Sequence, residues 1–354
     1  MHTFRVGVVG CGRNSDNHLR VYAHTPNVRL VSVCDAVEAN AQEKANKFGA
    51  ERIFTSPDSM MKLDLDLVDV ITPTPTHRSL VISALESGHA VLVEKPMALT
   101  AQECQDMIAA SRRSGRSLNV CHNKLFYRSV VQTKKAIQDE KLTVSRMRFA
   151  HFFVFGYLRP SWILTEESGG VLWEAMVHHA YMLEHFLGRI DRVYAVARKV
   201  RNPVYDSITL LTESQGRPGL GEYERYASDP FLGFQIFTDE GIRYDGDLSE
   251  DYVLRRPPHR RPVIPRTLAR LSDDFAIPIH RLRSRTHRSV RQPSYGVVTP
   301  YKGTFYAVIR QYVSFLLGER TSPPVMAEEG LNAIRVLESA KKSLETHEPM
   351  MIPS

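Results

Sequence analysis

The chain has 354 residues, 43% of them hydrophobic and 24% charged, with a formal net charge of +7. That length suits about two domains, each able to bury a core without disulfides or metals, and no apolar run is long enough to span a bilayer as a helix. Cys11, Cys34, Cys104 and Cys121 show no C-x-x-C spacing, which argues against a disulfide framework or a cysteine zinc site.

Met1 to Arg5 carry neither a charged-then-apolar leader nor a twin-arginine pattern, so a cytoplasmic protein is expected. Arg5 to Val9 reads as a buried parallel strand; Gly10-Cys11-Gly12 follows, then a helix from about His18. Val28 to Cys34 reads as a second strand ending at Asp35, and Ala39 to Phe48 as a helix closed by Gly49. Strands are expected at Leu67 to Ile71, Ala90 to Val93 and Ser117 to Cys121, with helices at Arg78 to Ser87 and Ala101 to Arg113 between them. Alternation of this kind predicts an α/β, doubly wound parallel sheet, a Rossmann-type domain over residues 1–122.

From Asn123 the pattern changes. A helix over Ser129 to Glu140, a strand through Met147 to Phe155 and one long helix from Leu172 to Leu187 are expected. Then come strands at Val193 to Val200, Ser207 to Thr212, Phe231 to Phe237 and Ile242 to Tyr244, separated by Gly, Pro and Asp turns that suit hairpins. With a closing helix, Ala327 to Thr346, residues 123–354 read as an α+β domain with a largely antiparallel sheet.

The glycine loop identifies the first ligand. Gly10 and Gly12 let backbone N–H groups approach a pyrophosphate at a helix N-terminus, and Arg13 and Asn14 complete the loop. Ser15 takes the third glycine position of the usual fingerprint. Asp35 stands where a carboxylate accepts from ribose hydroxyls, with no Arg after it to neutralise a 2′-phosphate, so NAD is favoured over NADP. The plainer reading of Asp35 is an exposed strand-end carboxylate. Cys11 reads as a small filler of a tight turn or as a reactive thiol. Glu94-Lys95-Pro96 ends the run Ala90 to Val93, which puts a cation where ligands of open α/β sheets collect.

Together these residues resemble the Gfo/Idh/MocA oxidoreductases. Gly10-Cys11-Gly12 with His18 is similar to that family's first loop, Thr72-Pro73-Thr74-Pro75-Thr76-His77 to its T-P-N-x-x-H turn, and Glu94-Lys95-Pro96 to its E-K-P signature. Ser168-Gly169-Gly170 through His178 resembles its G-G-G-x-L-x-D-x-G-x-H stretch, and Glu328-Glu329-Gly330-Leu331 its ending. Two departures stand out: Glu174 replaces an Asp, and Tyr181 replaces an acid three residues after His178. The resemblance implies a cofactor site that includes Thr72, Pro73, His77, Glu94 and Lys95, a homo-oligomer (dimer or tetramer), and no resident metal.

The chemistry this implies is hydride transfer between a nicotinamide and a secondary hydroxyl or ketone of a sugar, cyclitol or sugar derivative. His178 is the candidate base, Glu174 one turn earlier is expected to hold its tautomer, and Lys95 to stabilise negative charge on the reacting oxygen. An ordinary i,i+4 helix contact is the plainer reading of Glu174 with His178; a metal face of Glu174, His178, Tyr181 and His185 is disfavoured because no H-E-x-x-H pattern is present. His179 reads as structural. Lys124, Arg159, Trp162 and Tyr181 are the expected substrate wall.

Residues 255–291 contain eleven Arg, no Lys and only Asp273 and Asp274 as acids, with five prolines among them. An extended arm is expected there, meeting an anionic partner: a sugar phosphate or nucleotide-sugar substrate, an acidic membrane surface, a carrier protein or a neighbouring subunit. A solvated loop paired with acids of its own domain is the alternative. Nucleic acid is not expected, since Phe275 is the segment's one aromatic. Two other functional readings compete: an NAD enzyme whose transient sugar oxidation enables elimination or hydrolysis, and a noncatalytic NAD-binding sensor or scaffold.

Overall fold

The computed structural model describes residues 3–154, 164–258 and 299–353. Six strands, β1 (Phe4–Val9), β2 (Val28–Cys34), β3 (Arg52–Phe54), β4 (Leu67–Val70), β5 (Ala90–Val93) and β6 (Leu118–Val120), form one parallel sheet in the order β3-β2-β1-β4-β5-β6. The order reverses between β1 and β4, which opens a crevice at the carboxyl ends of those strands. Helices α1 (Ser15–Ala23), α2 (Glu38–Phe48), α3 (Pro57–Met60), α4 (His77–Glu86) and α5 (Ala101–Ser114) connect them. β2, β5 and the N-terminal end of α5 fall where the sequence places them. The short pair β3 and α3 was not anticipated, because three and four residues carry no readable period.

The second sheet has eight strands. In chain order they are β7 (Val144–Val154), β8 (Arg192–Arg198), β9 (Ser207–Ser214), β10 (Arg217–Ala227), β11 (Phe231–Thr238), β12 (Arg243–Asp247), β13 (Tyr252–Arg256) and β14 (Met350–Met351). Their order is β13-β12-β11-β7-β10-β9-β8-β14, antiparallel throughout except for the parallel pair β7 and β10. β10 was missed in the sequence, where its Pro218, Gly219 and Gly221 read as a turn; Gly219 and Gly221 lie close against Leu187 and His179 of the covering helix.

Helices α6 (Arg128–Asp139), α7 (Gly170–Glu174) and α8 (Met176–Leu187) belong to this half, and α8 packs on β7 and β10. The single helix expected over Leu172 to Leu187 is thus two. Its ladder breaks at Ala175, where the His178 N–H donates to the Ala175 carbonyl at 3.2 Å rather than one residue further back. Gly169, at φ +78°, starts α7; a Cβ there would lie 2.6 Å from the Trp173 ring, so the turn admits glycine alone.

The last two helices knit the halves together. Helix Ala327–Thr346 packs against both α5 and α8. Helix Pro300–Leu316, unanticipated in the sequence, returns to the first sheet: Phe305, Val308, Ile309, Tyr312 and Val313 share a core with β1 and α1 residues, and the Tyr312 hydroxyl reaches the Val91 and Ser117 carbonyls at 3.0 Å each. No helix among the described residues is long and apolar enough to cross a membrane.

Candidate active site

The glycine loop leaves β1 through Gly10 at φ +100°, where an added Cβ would sit 2.6 Å from the Ile71 carbonyl. Gly12 is exposed, and an added Cβ there would meet nothing within 4 Å. The loop's face is therefore bare backbone at a helix N-terminus, the surface a pyrophosphate needs. Asp35 ends β2 with one carboxylate oxygen accepting the Cys11 N–H at 2.8 Å and the other accepting from the Val37 N–H at 2.9 Å and Asn40 Nδ2 at 3.2 Å. It is tied into the loop rather than projecting free. Burial, then Asp35, pushes the Cys11 thiol up to about 12, which leaves it the small filler of a tight turn. Ser15 is buried and donates its hydroxyl to the Gly12 carbonyl at 2.6 Å. Arg13 is exposed, and the Asn14 side chain accepts from Asn17 Nδ2 at 3.0 Å.

The second layer is a buried charge network. His18 Nδ1 lies 2.7 Å from Asp69 Oδ2 and Nε2 2.9 Å from Glu94 Oε1, and the Tyr22 hydroxyl donates to Asp69 at 2.8 Å. Burial alone would lower the His18 pKa, but Asp69 and Glu94 outweigh it and raise the value well above 6.5. For Glu94 burial is likewise outweighed, by His18 and Lys95, and its pKa falls. The Cys121 thiol lies with His18 and Glu94, their polar atoms within 4.8 Å of one another. Burial pushes that thiol up to about 12, and both His18 nitrogens already face carboxylates, so the grouping serves as a hydrogen-bonded support.

That support aims Lys95. Glu94 Oε2 accepts the Lys95 backbone N–H at 2.9 Å, and the Lys95-Pro96 peptide is cis. His77, buried, lies between the Thr72 carbonyl at 2.9 Å and the Pro96 carbonyl at 3.0 Å, clamping the Thr72 to His77 turn against the lysine loop. Pro73 lies exposed at the head of that turn. From the other half, the Trp173 indole donates to the Leu99 carbonyl at 2.9 Å, which brings the end of α7 onto the same loop. Lys95 Nζ then donates to Glu174 Oε2 at 2.9 Å and to the Glu174 carbonyl at 3.3 Å, both side chains largely buried.

One expectation is corrected here. Glu174 pairs with Lys95, not with His178, because the break at Ala175 takes the two residues off one continuous helical face. Tyr181, expected in the substrate wall, is 3% exposed and stands behind His178 with its hydroxyl 2.6 Å from Nδ1. Lys124 is also buried, its N–H donating to the Tyr181 oxygen at 3.3 Å and its ammonium 3.3 Å from His151 Nδ1. Burial, then Lys124 and Lys95, pushes the His178 pKa well below 6.5. His179 bridges the Ala175 and Glu222 carbonyls and is structural.

His122 escaped the sequence reading. It is fully buried, its ring stacks on Tyr181 at 4.1 Å, and neither nitrogen has a hydrogen-bond partner among the described residues. Only its place directly after β6, at the rim of the crevice, signals it. Arg159, Trp162 and most of the arginine-rich stretch lie outside the described residues. Arg255 and Arg256 lie at the end of β13, paired with Glu140 at 2.7 Å and Asp245 at 2.6 Å, acids of their own domain.

Residues 4–122 match the family model for the Gfo/Idh/MocA oxidoreductase family, NAD-binding Rossmann fold, and residues 130–242 match that family's C-terminal domain. The chain belongs to the Gfo/Idh/MocA family. This oxidoreductase is 27% identical to a D-apiose dehydrogenase of Paraburkholderia graminis, over 71% of this chain and 69% of that one. It is 24% identical to a scyllo-inositol 2-dehydrogenase (NAD(+)) of Bacillus subtilis, over 71% of this chain and 76% of the other. Its fold matches an oxidoreductase domain protein of Kribbella flavida, at TM-score 0.83 and 20% identity, over the whole of both chains. As a Gfo/Idh/MocA enzyme it takes NAD, and its bare Gly12 face and Asp35 at the end of β2 fit that dinucleotide.

Proposed function

We propose that this enzyme transfers a hydride between NAD and a secondary hydroxyl or ketone of a sugar, cyclitol or related polyol, with Lys95, Glu174 and His178 as its working groups. The observation that carries the reading is the 2.9 Å contact between Lys95, from the first half, and Glu174, beside the helix that bears His178 in the second. Bound NAD supplies the hydride acceptor or donor. Lys95, held by Glu94 and Glu174, presents an ammonium to the reacting oxygen and stabilises negative charge developing there. Glu174 holds that lysine in place through their 2.9 Å ion pair. His178 exchanges a proton with the same oxygen through Nε2. Gly10, Gly12, Arg13, Asn14 and Asp35 hold the dinucleotide, and His77 keeps Thr72 and Pro73 against the lysine loop.

Residues 1–122 form the NAD domain in this reading, and residues 123–354 the substrate and assembly domain. Val196 at 52% and Leu211 at 51% exposure lie on one open face of the second sheet, which supports a homo-oligomer built through it. Four buried free thiols support a reducing, cytoplasmic setting. The test is NADH formation from a panel of sugars, sugar acids and cyclitols. Lys95→Ala should lower kcat at least about 100-fold with NAD affinity nearly unchanged; full turnover in that variant, or no NADH from any polyol, would sink the reading.

A further inference from the structure

We propose that Tyr181 is a positioning residue that holds the proton of His178 on Nε2, so that the imidazole meets the substrate oxygen as a hydrogen-bond donor. The argument is a count of donors and acceptors around one buried oxygen. A phenol carries one hydrogen to give. The Tyr181 oxygen has two hydrogen-bond neighbours among the described residues, the Lys124 backbone N–H at 3.3 Å and His178 Nδ1 at 2.6 Å. The Lys124 N–H is a donor and cannot accept. The phenolic hydrogen therefore has one acceptor, Nδ1, and a neutral imidazole that accepts at Nδ1 carries its own proton on Nε2.

The opposite arrangement, with Nδ1–H donating, would leave the phenol O–H buried with nothing to bond. Tyr181 is 3% exposed and His178 8%, so a phenol O–H left without an acceptor there carries the cost of its desolvation. Ionisation offers no escape. Burial pushes Tyr181 well above its usual value of 10; Cys121, Glu94 and Tyr127 act in the same direction, and the Lys124 N–H only partly opposes them. Burial, Lys124, Lys95, His151 and His179 together keep His178 neutral. The phenol itself is fixed, its ring stacked on His122 at an interplanar angle of 17°.

A carboxylate at position 181 would impose the reverse, since it has no proton to give and would draw Nδ1–H toward itself. The phenol thus presets the resting site for an acceptor oxygen, the carbonyl form of the substrate, whereas a hydroxyl about to lose its proton needs the other tautomer. This deepens the proposed function and rests on His178 facing the reacting oxygen, but the tautomer is measurable without substrate or cofactor.

The experiment is nitrogen NMR of the full chain labelled at its histidines, with the His178 signals identified by their loss in His178→Asn. The expected pattern is a bare, pyridine-like Nδ1 and a protonated, pyrrole-like Nε2, unchanged between about pH 6 and 9. The reverse pattern overturns the proposal. Tyr181→Phe should give a mixture of tautomers and Tyr181→Glu the Nδ1–H form; a pure Nε2–H signal in a folded Tyr181→Phe protein also overturns it. Turnover assayed on the same samples separates the two claims: a reversed tautomer beside normal polyol oxidation sinks this inference alone, and the expected tautomer beside no oxidation sinks the proposed function alone.

Discussion

Glu184 shows what a single half-buried group does to stability. It lines a cavity of about 150 Å³ with Leu125, Tyr181, His185, Arg189, Glu329 and Asn332. Burial pushes its carboxyl up to about 7; the Ile190 N–H opposes this, Glu329 reinforces it and Arg189 opposes it. A carboxyl raised in the folded state binds its proton more tightly than in the unfolded chain. Its contribution is thus fully present at low pH and is lost as pH rises from about 4.5 through 7. Glu184→Gln should accordingly leave stability at pH 4.5 nearly unchanged and raise it at pH 8 by about 1–3 kcal/mol. Urea unfolding at the two pH values checks this, and an equal effect at both would show that the carboxyl is not raised. Asp35 and Lys95 stand out in the sequence because each carries a charge just past an apolar strand, Asp35 after Val28–Cys34 and Lys95 after Ala90–Val93 and before Pro96. The partner of His178 does not, because the Ala175 break that separates it from Glu174 leaves no mark in residue spacing.

At the scale of elements, helix Ala327–Thr346 comes close to the lysine loop through a single glycine. A Cβ on Gly330 would lie 2.8 Å from both Met97 Sδ and Val120 Cγ2, so this glycine lets the helix reach the lysine loop and β6 together. Replacing a helical glycine normally gains about 1 kcal/mol in propensity. Overpacking costs about 1–3 kcal/mol and grows with side-chain size. Gly330→Val should therefore lower stability by about 1–2 kcal/mol, read as an earlier urea midpoint; an unchanged midpoint would mean the helix yields freely. The edges of this element could be read in advance because its apolar period of 3.6 runs for twenty residues. β10 could not: its Gly219 and Gly221 look like turn residues until the covering helix is known to press on them.

For the whole molecule, the two halves are joined by returning helices and by the Lys95 to Glu174 contact, so occupation of the crevice should be felt globally. NAD at about 100 times its Kd should stabilise the fold by about 2.7 kcal/mol, seen as a rise in Tm. NADP at the same concentration should shift Tm less, and Asp35→Ala should shrink the NAD shift while also loosening the loop whose Cys11 N–H it accepts. Equal shifts with both cofactors would refute the selectivity argued for Asp35.

Local order decided the rest of what was readable. Strands β1, β2, β4 and β5 are mainly apolar and mainly buried, and a parallel sheet covered by helices is the form that buries them. Sequence alone thereby determined the Rossmann half, its cofactor and the lysine at its rim. Only the tertiary structure decided which charges meet: that Glu174 serves Lys95, that Tyr181 stands behind His178, and that helix Pro300–Leu316 returns to the first sheet. Those contacts join residues scores of positions apart or hinge on a broken turn. Periodicity records which face of an element is buried, but not what is buried against it.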